Sequence, residues 1–198
     1  NVDIADMWIH ESFTAYSESL FLDYYYGNQA SSEYVIGTRR GIQNDRPLIG
    51  QYNVNNEGSG DMYYKGANML HTLRQLVNDD EKWRQILRTL NSKFYHQTVT
   101  TQQIENCLAE ASGLDLKGIF NQYLRTIKIP VLEYQVEGKK LHYKWTNTVK
   151  DFVMPIKIEV NGINHWITPS KEYQTLKLKS KDSNIKVDNN FYVNVKAL

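Results

Sequence analysis

Phe120-Asn121-Gln122-Tyr123-Leu124-Arg125-Thr126-Ile127-Lys128-Ile129-Pro130-Val131-Leu132-Glu133-Tyr134-Gln135-Val136 is the stretch in which the chain changes period. Up to Leu124, the residues Leu116, Ile119, Phe120, Tyr123 and Leu124 recur at the spacing of one helix face. Ile129-Pro130 then bars continuation, because the residue before a proline is pushed out of the helical region. From Val131 apolar and polar residues alternate, as in a strand with one buried face. The fold class is therefore α+β in sequence order, with helices first and strands after. The division falls between residues 1–128 and residues 129–198.

Downstream of the switch, Glu137-Gly138-Lys139 joins Val131–Val136 to Leu141–Trp145, a hairpin by turn chemistry. Asn161-Gly162 joins Val153–Val160 to Ile163–Thr168, and this dipeptide is the strongest short hairpin signal. Glu172–Lys179, Ile185–Val187 and Phe191–Val195 bring the total to about seven short strands, which predicts a small antiparallel β-sandwich. His142 and His165 fall on these strands with no Cys or carboxylate at ligand spacing, so packing or surface placement accounts for both. Upstream, Thr100-Thr101-Gln102-Gln103 forms a capping box for a helix carrying Ile104, Cys107, Leu108 and Ala111 and ending at Gly113. Asp79 or Asp80 caps the preceding helix, whose apolar face is Trp83, Ile86, Leu87, Leu90 and Phe94.

The first sixty residues hold a long opening helix, a shorter one over about residues 33–43 capped by Ser31 or Ser32, and a loop from Asn44 to Gly60 rich in Gly, Pro and Asn. In the opening helix Trp8, Glu11, Ala15, Glu18 and Leu22 share one stripe, while Phe13, Tyr16 and Leu20 form a second, largely apolar one. A carboxylate in such a setting either has a structural partner, faces solvent or does chemistry. His10-Glu11 suggests the start of a His-Glu-x-x-His metal motif, but Thr14 stands where its second His is required. After the loop, Tyr63-Tyr64-Lys65-Gly66 opens a buried helix with Leu70, Leu73 and Val77. Gly66 marks close approach of another backbone.

Three of these stretches resemble the zinc aminopeptidases of the aminopeptidase N family, which are gluzincins. Trp8-Ile9-His10-Glu11-Ser12-Phe13-Thr14-Ala15 resembles the family's Trp-Leu-Asn-Glu-Gly-Phe-Ala, departing at His10 and Ser12. The resemblance implies that Glu11 is the third protein ligand of a zinc ion. Tyr63-Tyr64-Lys65-Gly66 is similar to the family's Tyr-x-Lys-Gly, which implies that Tyr63, and not Tyr64, donates its hydroxyl to the oxyanion of the tetrahedral intermediate. Thr101–Leu132 resembles the passage from the family's catalytic domain, through a last helix and a Pro, into a β domain. Residues 1–128 are then expected to be the all-α second half of a thermolysin-like catalytic domain. Counting back from Glu11 by the family's spacing places both zinc-binding histidines and the general base before Asn1. By this resemblance the chain is a C-terminal fragment, inactive by itself and without tightly held zinc, of an enzyme that removes N-terminal residues from peptide substrates. The upstream part of the catalytic domain would pack on residues 1–30. Glu18, two helical turns beyond Glu11, either accepts the distal ring N–H of a zinc-bound His or serves a structural salt bridge.

Composition narrows the alternatives. Lys and Arg number 23 against 22 Asp and Glu, a net charge of +1, which gives no electrostatic case for nucleic acid or an anionic membrane. No apolar run approaches the length that spans a bilayer, and the sequence leaves the compartment open. The single cysteine, Cys107, excludes an intrachain disulfide and reads as a buried, inert thiol. Two other functional classes stay open: a non-catalytic peptide- or protein-binding module built on the β domain, and a degenerate peptidase homologue. The presence of Glu11 and Tyr63 argues against decay.

Overall fold

The computed structural model describes residues 1–198. Six helices come first: α1 (Trp8–Tyr26), α2 (Asn28–Gly37), α3 (Tyr64–Val77), α4 (Asp80–Lys93), α5 (Thr101–Ser112) and α6 (Lys117–Arg125). Seven strands follow: β1 (Val131–Glu137), β2 (Lys140–Thr146), β3 (Ile156–Val160), β4 (Ile163–Ile167), β5 (Gln174–Lys177), β6 (Ile185–Val187) and β7 (Asn194–Ala197). The chain is thus α+β, with a helical part and then a small β part. The helix ends follow local chemistry. Asp79 accepts the Lys82 N–H at the start of α4, the Thr100–Gln103 capping box opens α5, and Gly113 closes it in the left-handed region at φ +73°.

The strands form two sheets, one in the order β5-β2-β1-β7 and one in the order β4-β3-β6. Asn161 and Gly162 both adopt positive φ, 51° and 82°, in the turn between β3 and β4, which gives the hairpin the twist its strands need. Strand pairing is not wholly antiparallel as the sequence suggested, because β7 runs parallel to β1, Val131 lying opposite Asn194. A parallel neighbour needs a long crossover, and here the chain builds the whole second sheet before it returns. The last strand also begins later than expected. Phe191 and Tyr192 precede it as buried anchors, with the Tyr192 N–H donating to Thr72 Oγ1 at 3.0 Å and its carbonyl accepting from the Tyr123 hydroxyl at 2.5 Å. These bonds seam α3 and α6 to the β part.

Two expectations for the first helices are corrected. The second helix starts at Asn28, immediately after Gly27 at φ +88°, and ends in a 3-10 turn over Thr38–Gly41. Ser31 and Ser32 therefore lie inside it and cap nothing. Ser31 is buried, with its hydroxyl 2.8 Å from that of Ser19 in α1. The buried face of α1 is Trp8, Ile9, Ser12, Tyr16 and Ser19, with Phe13 and Leu20 only half-buried. Small serines occupy the face because α2 and α3 approach too closely for larger side chains. The sharpest case is Gly66 of α3, where an added Cβ would sit 1.8 Å from Ser12 Oγ.

Candidate active site

The start of α1 is pinned by a buried carboxylate that the sequence reading did not single out. Asp6 is 1% exposed and accepts hydrogen bonds from the Tyr52 hydroxyl at 2.6 Å, the Thr101 hydroxyl at 2.5 Å and the Thr101 N–H at 3.2 Å. Trp8 Nε1 donates to the same Thr101 oxygen at 2.7 Å. This network ties the 44–60 loop and the start of α5 to the first turn of α1. Glu11 lies in this same first turn. Beside it Ser12, wholly buried, donates its hydroxyl to the Met62 carbonyl at 2.7 Å.

Met62 closes a 3-10 turn over Gly60–Met62, and Tyr63 follows at the start of α3. Ser59 caps this turn by accepting the Asp61 N–H. The Asp61 carboxylate, itself buried, accepts the backbone N–H groups of Gln43 at 2.9 Å and Asn44 at 2.6 Å. Lys65 is fully buried and donates to the Thr126 carbonyl at 2.9 Å, just past the end of α6. Desolvation pulls its pKa down to about 8 against the opposing charges of Asp61 and Asp45. Tyr63 therefore stands on a turn held by the hydrogen bonds of Ser12, Ser59, Asp61 and Lys65.

Glu11 and Tyr63, distant in sequence, come together here. The Tyr63 hydroxyl is held above its ordinary pKa first by the negative charge of Glu11, then by partial desolvation, by a hydrogen bond to Glu11 and by the charge of Glu57. The Glu11 carboxylate is half-buried, and no Lys or Arg pairs with it. The Tyr63 hydroxyl lies close enough to feel its charge. A half-buried carboxylate with one neutral neighbour retains lone pairs for a ligand.

Glu18 is placed differently. It is exposed, and Oε2 accepts the Tyr34 hydroxyl at 2.5 Å, which is the first cause of that tyrosine's rise to about 12. It lines a cleft of about 430 Å³ together with Thr14, Ala15, Asp61, Tyr63 and Tyr64. Cys107 is buried, and desolvation raises its thiol pKa. The thiolate is thereby disfavoured.

No group of three or more His, Cys, Asp or Glu side chains gathers anywhere in the chain to hold a metal ion. These residues therefore fit one ligand position, the oxygen of Glu11, and not the three protein ligands of a catalytic zinc. The residues that sequence reasoning passed over are Asp6, Ser12 and Lys65. Of these, the contact made by Ser12 had a signal in Gly66, whose lack of a side chain implied a close neighbour without naming it.

Residues 3–123 match the peptidase family M1 domain. Probable aminopeptidase 1 of Sulfurisphaera tokodaii is 24% identical over 203 residues, which cover 93% of this chain and 26% of that protein. Leucyl aminopeptidase of Saccharolobus solfataricus is 23% identical over 208 residues, with the same two shares of 93% and 26%. Mitochondrial aminopeptidase 2 of Saccharomyces cerevisiae is 23% identical over 130 residues, 59% of this chain and 14% of that protein. The chain thus spans 26% of the length of the first two of these relatives. Because the matched domain, residues 3–123, takes in more than half of its 198 residues, the chain belongs to peptidase family M1.

Proposed function

We propose that these residues supply part of the active site of a zinc-dependent aminopeptidase that removes N-terminal residues from peptides. The observation that carries this reading is that the buried Ser12–Met62 hydrogen bond, 2.7 Å across 50 residues of sequence, joins the immediate neighbours of Glu11 and Tyr63, with no Lys or Arg paired to the Glu11 carboxylate. Glu11 contributes one oxygen to a ligand set whose imidazoles, like the general base, belong to residues outside this chain. Zinc held by such a set would supply activation of water near neutral pH. Tyr63 donates its hydroxyl to the peptide carbonyl oxygen as negative charge develops there. A tyrosine hydroxyl, with an ordinary pKa of about 10, keeps its proton and remains a donor at neutral pH. The cleft beside Tyr63 receives the peptide. On this reading residues 1–128 belong to the catalytic part and residues 129–198 form a β domain. The remainder of the catalytic part covers residues 1–30, where Phe21, Tyr24, Tyr25 and Tyr26 are exposed.

The test uses the full-length enzyme carrying this chain. Tyr63→Phe is expected to lower kcat by about 10²–10³-fold with KM and zinc content little changed, and Tyr64→Phe to be far milder. Glu11→Ala is expected to lower zinc content and activity together, since two protein ligands hold a catalytic zinc poorly. Full zinc stoichiometry and full activity after Glu11→Ala would refute the ligand role. The 198-residue chain assayed alone is expected to fold, yet neither to bind zinc tightly in calorimetry nor to hydrolyse aminoacyl amides above background.

A further inference from the structure

We propose that Ser12 is a positioning residue, which sets the separation between the Glu11 carboxylate and the Tyr63 hydroxyl. This rests on the functional reading above. Ser12 is wholly buried and follows Glu11 directly, while Met62 is buried and directly precedes Tyr63. The Ser12 hydroxyl donates to the Met62 carbonyl at 2.7 Å across 50 residues of sequence. One buried hydrogen bond thus joins the immediate neighbours of the two groups, so a shift at the bond passes to each across a single peptide bond. Gly66 fixes the contact from the far side, because a Cβ there would lie 1.8 Å from Ser12 Oγ and 2.5 Å from Ser12 Cβ. The hydroxyl is held between a carbonyl it must reach and a glycine that leaves no slack. Backbone contact brings α1 and α3 together, and the hydrogen bond selects where along α1 the turn bearing Tyr63 rests.

The test has two arms. In the first, the 198-residue chain is labelled at the tyrosine Cζ carbons, and the Tyr63 resonance is assigned by its loss in Tyr63→Phe. Glu11→Gln, read at neutral pH, gives the shift that reports loss of the carboxylate. Ser12→Ala is expected to move the Tyr63 resonance in the same direction with the buried tyrosines Tyr16 and Tyr123 unmoved. A folded Ser12→Ala chain whose Tyr63 resonance stays at the wild-type position would overturn the inference. In the second arm, Ser12→Ala in the full-length enzyme is expected to lower kcat by about tenfold with KM unchanged, the scale of one buried hydrogen bond. That loss should vanish in the Tyr63→Phe background, as it must if Ser12 acts through Tyr63. Full additivity would overturn the positioning role. Tyr63→Phe without any effect on kcat would instead sink the functional reading, leaving the resonance measurement to decide the role of Ser12.

Discussion

Replacing Gly66 by alanine tests the closest approach that any glycine of the chain makes to its neighbours. The new Cβ would lie 1.8 Å from Ser12 Oγ and 2.5 Å from Ser12 Cβ, distances at which something has to move. Ser12 cannot simply swing aside, since it is wholly buried and its hydroxyl is bonded to Met62. Overpacking of a close-packed interior costs about 1–3 kcal/mol, and losing the Ser12 hydrogen bond adds about 0.5–1.5 kcal/mol. Against this, alanine is a better helix former than glycine by about 1 kcal/mol. The steric term wins, and the expected net loss is about 1–3 kcal/mol. For a domain of this size each kcal/mol lowers Tm by about 2–4 °C. Urea denaturation followed by far-ultraviolet circular dichroism measures the change. Adding Ser12→Gly to Gly66→Ala should recover the steric part of the loss and leave the cost of the missing hydrogen bond. A Gly66→Ala chain as stable as wild type, or more so, would refute the reasoning, because helix propensity would then outweigh a contact that is not tight.

Two further outcomes are expected. His71 is buried, with Nε2 2.9 Å from Asn190 Oδ1 and Nδ1 without a partner. Because the Asn190 amide nitrogen donates to Asp188, its Oδ1 faces His71 as an acceptor, and the imidazole is the neutral Nε2–H form. Desolvation, above all, pushes its pKa down from 6.5 to about 4. The unfolded chain binds this proton first, so the contribution is fully present above pH 6.5 and is lost as pH falls from 6.5 towards 4. At 1.36 kcal/mol per pKa unit it amounts to about 3 kcal/mol. Urea titrations at intervals across that window should show the slope in wild type and a flatter one in His71→Gln, and equal slopes would count against a neutral buried His71. Asp6→Ala strips three hydrogen bonds from Tyr52 and Thr101 and is expected to cost about 2–3 kcal/mol, the range for bonds to a buried charge. Unchanged stability in the same assay would show that the network is idle.

The sequence by itself determined whatever is decided within a few residues. Ile129-Pro130 ends the helical part because a proline bars the helix ahead of it. Asp79 and the Thr100–Gln103 pair set helix starts because their side chains satisfy backbone N–H groups close by, and Asn161-Gly162 sets a hairpin because both residues accept positive φ. Gly66 told of a close neighbour, and motif resemblance drew attention to Glu11 and Tyr63. Tertiary structure decided what depends on a partner's shape. Ser12, Ser19 and Ser31 look like surface or capping residues in sequence, and they are buried because neighbouring helices approach too closely for anything larger. Asp6 looks like one acid among many until Tyr52 and Thr101 converge on it, and β7 finds β1 in parallel only after the second sheet has been built. The approach of Glu11 to Tyr63 is of the same kind. No local rule brings residues of α1 and the α3 turn together, because that distance is set by how two helices pack.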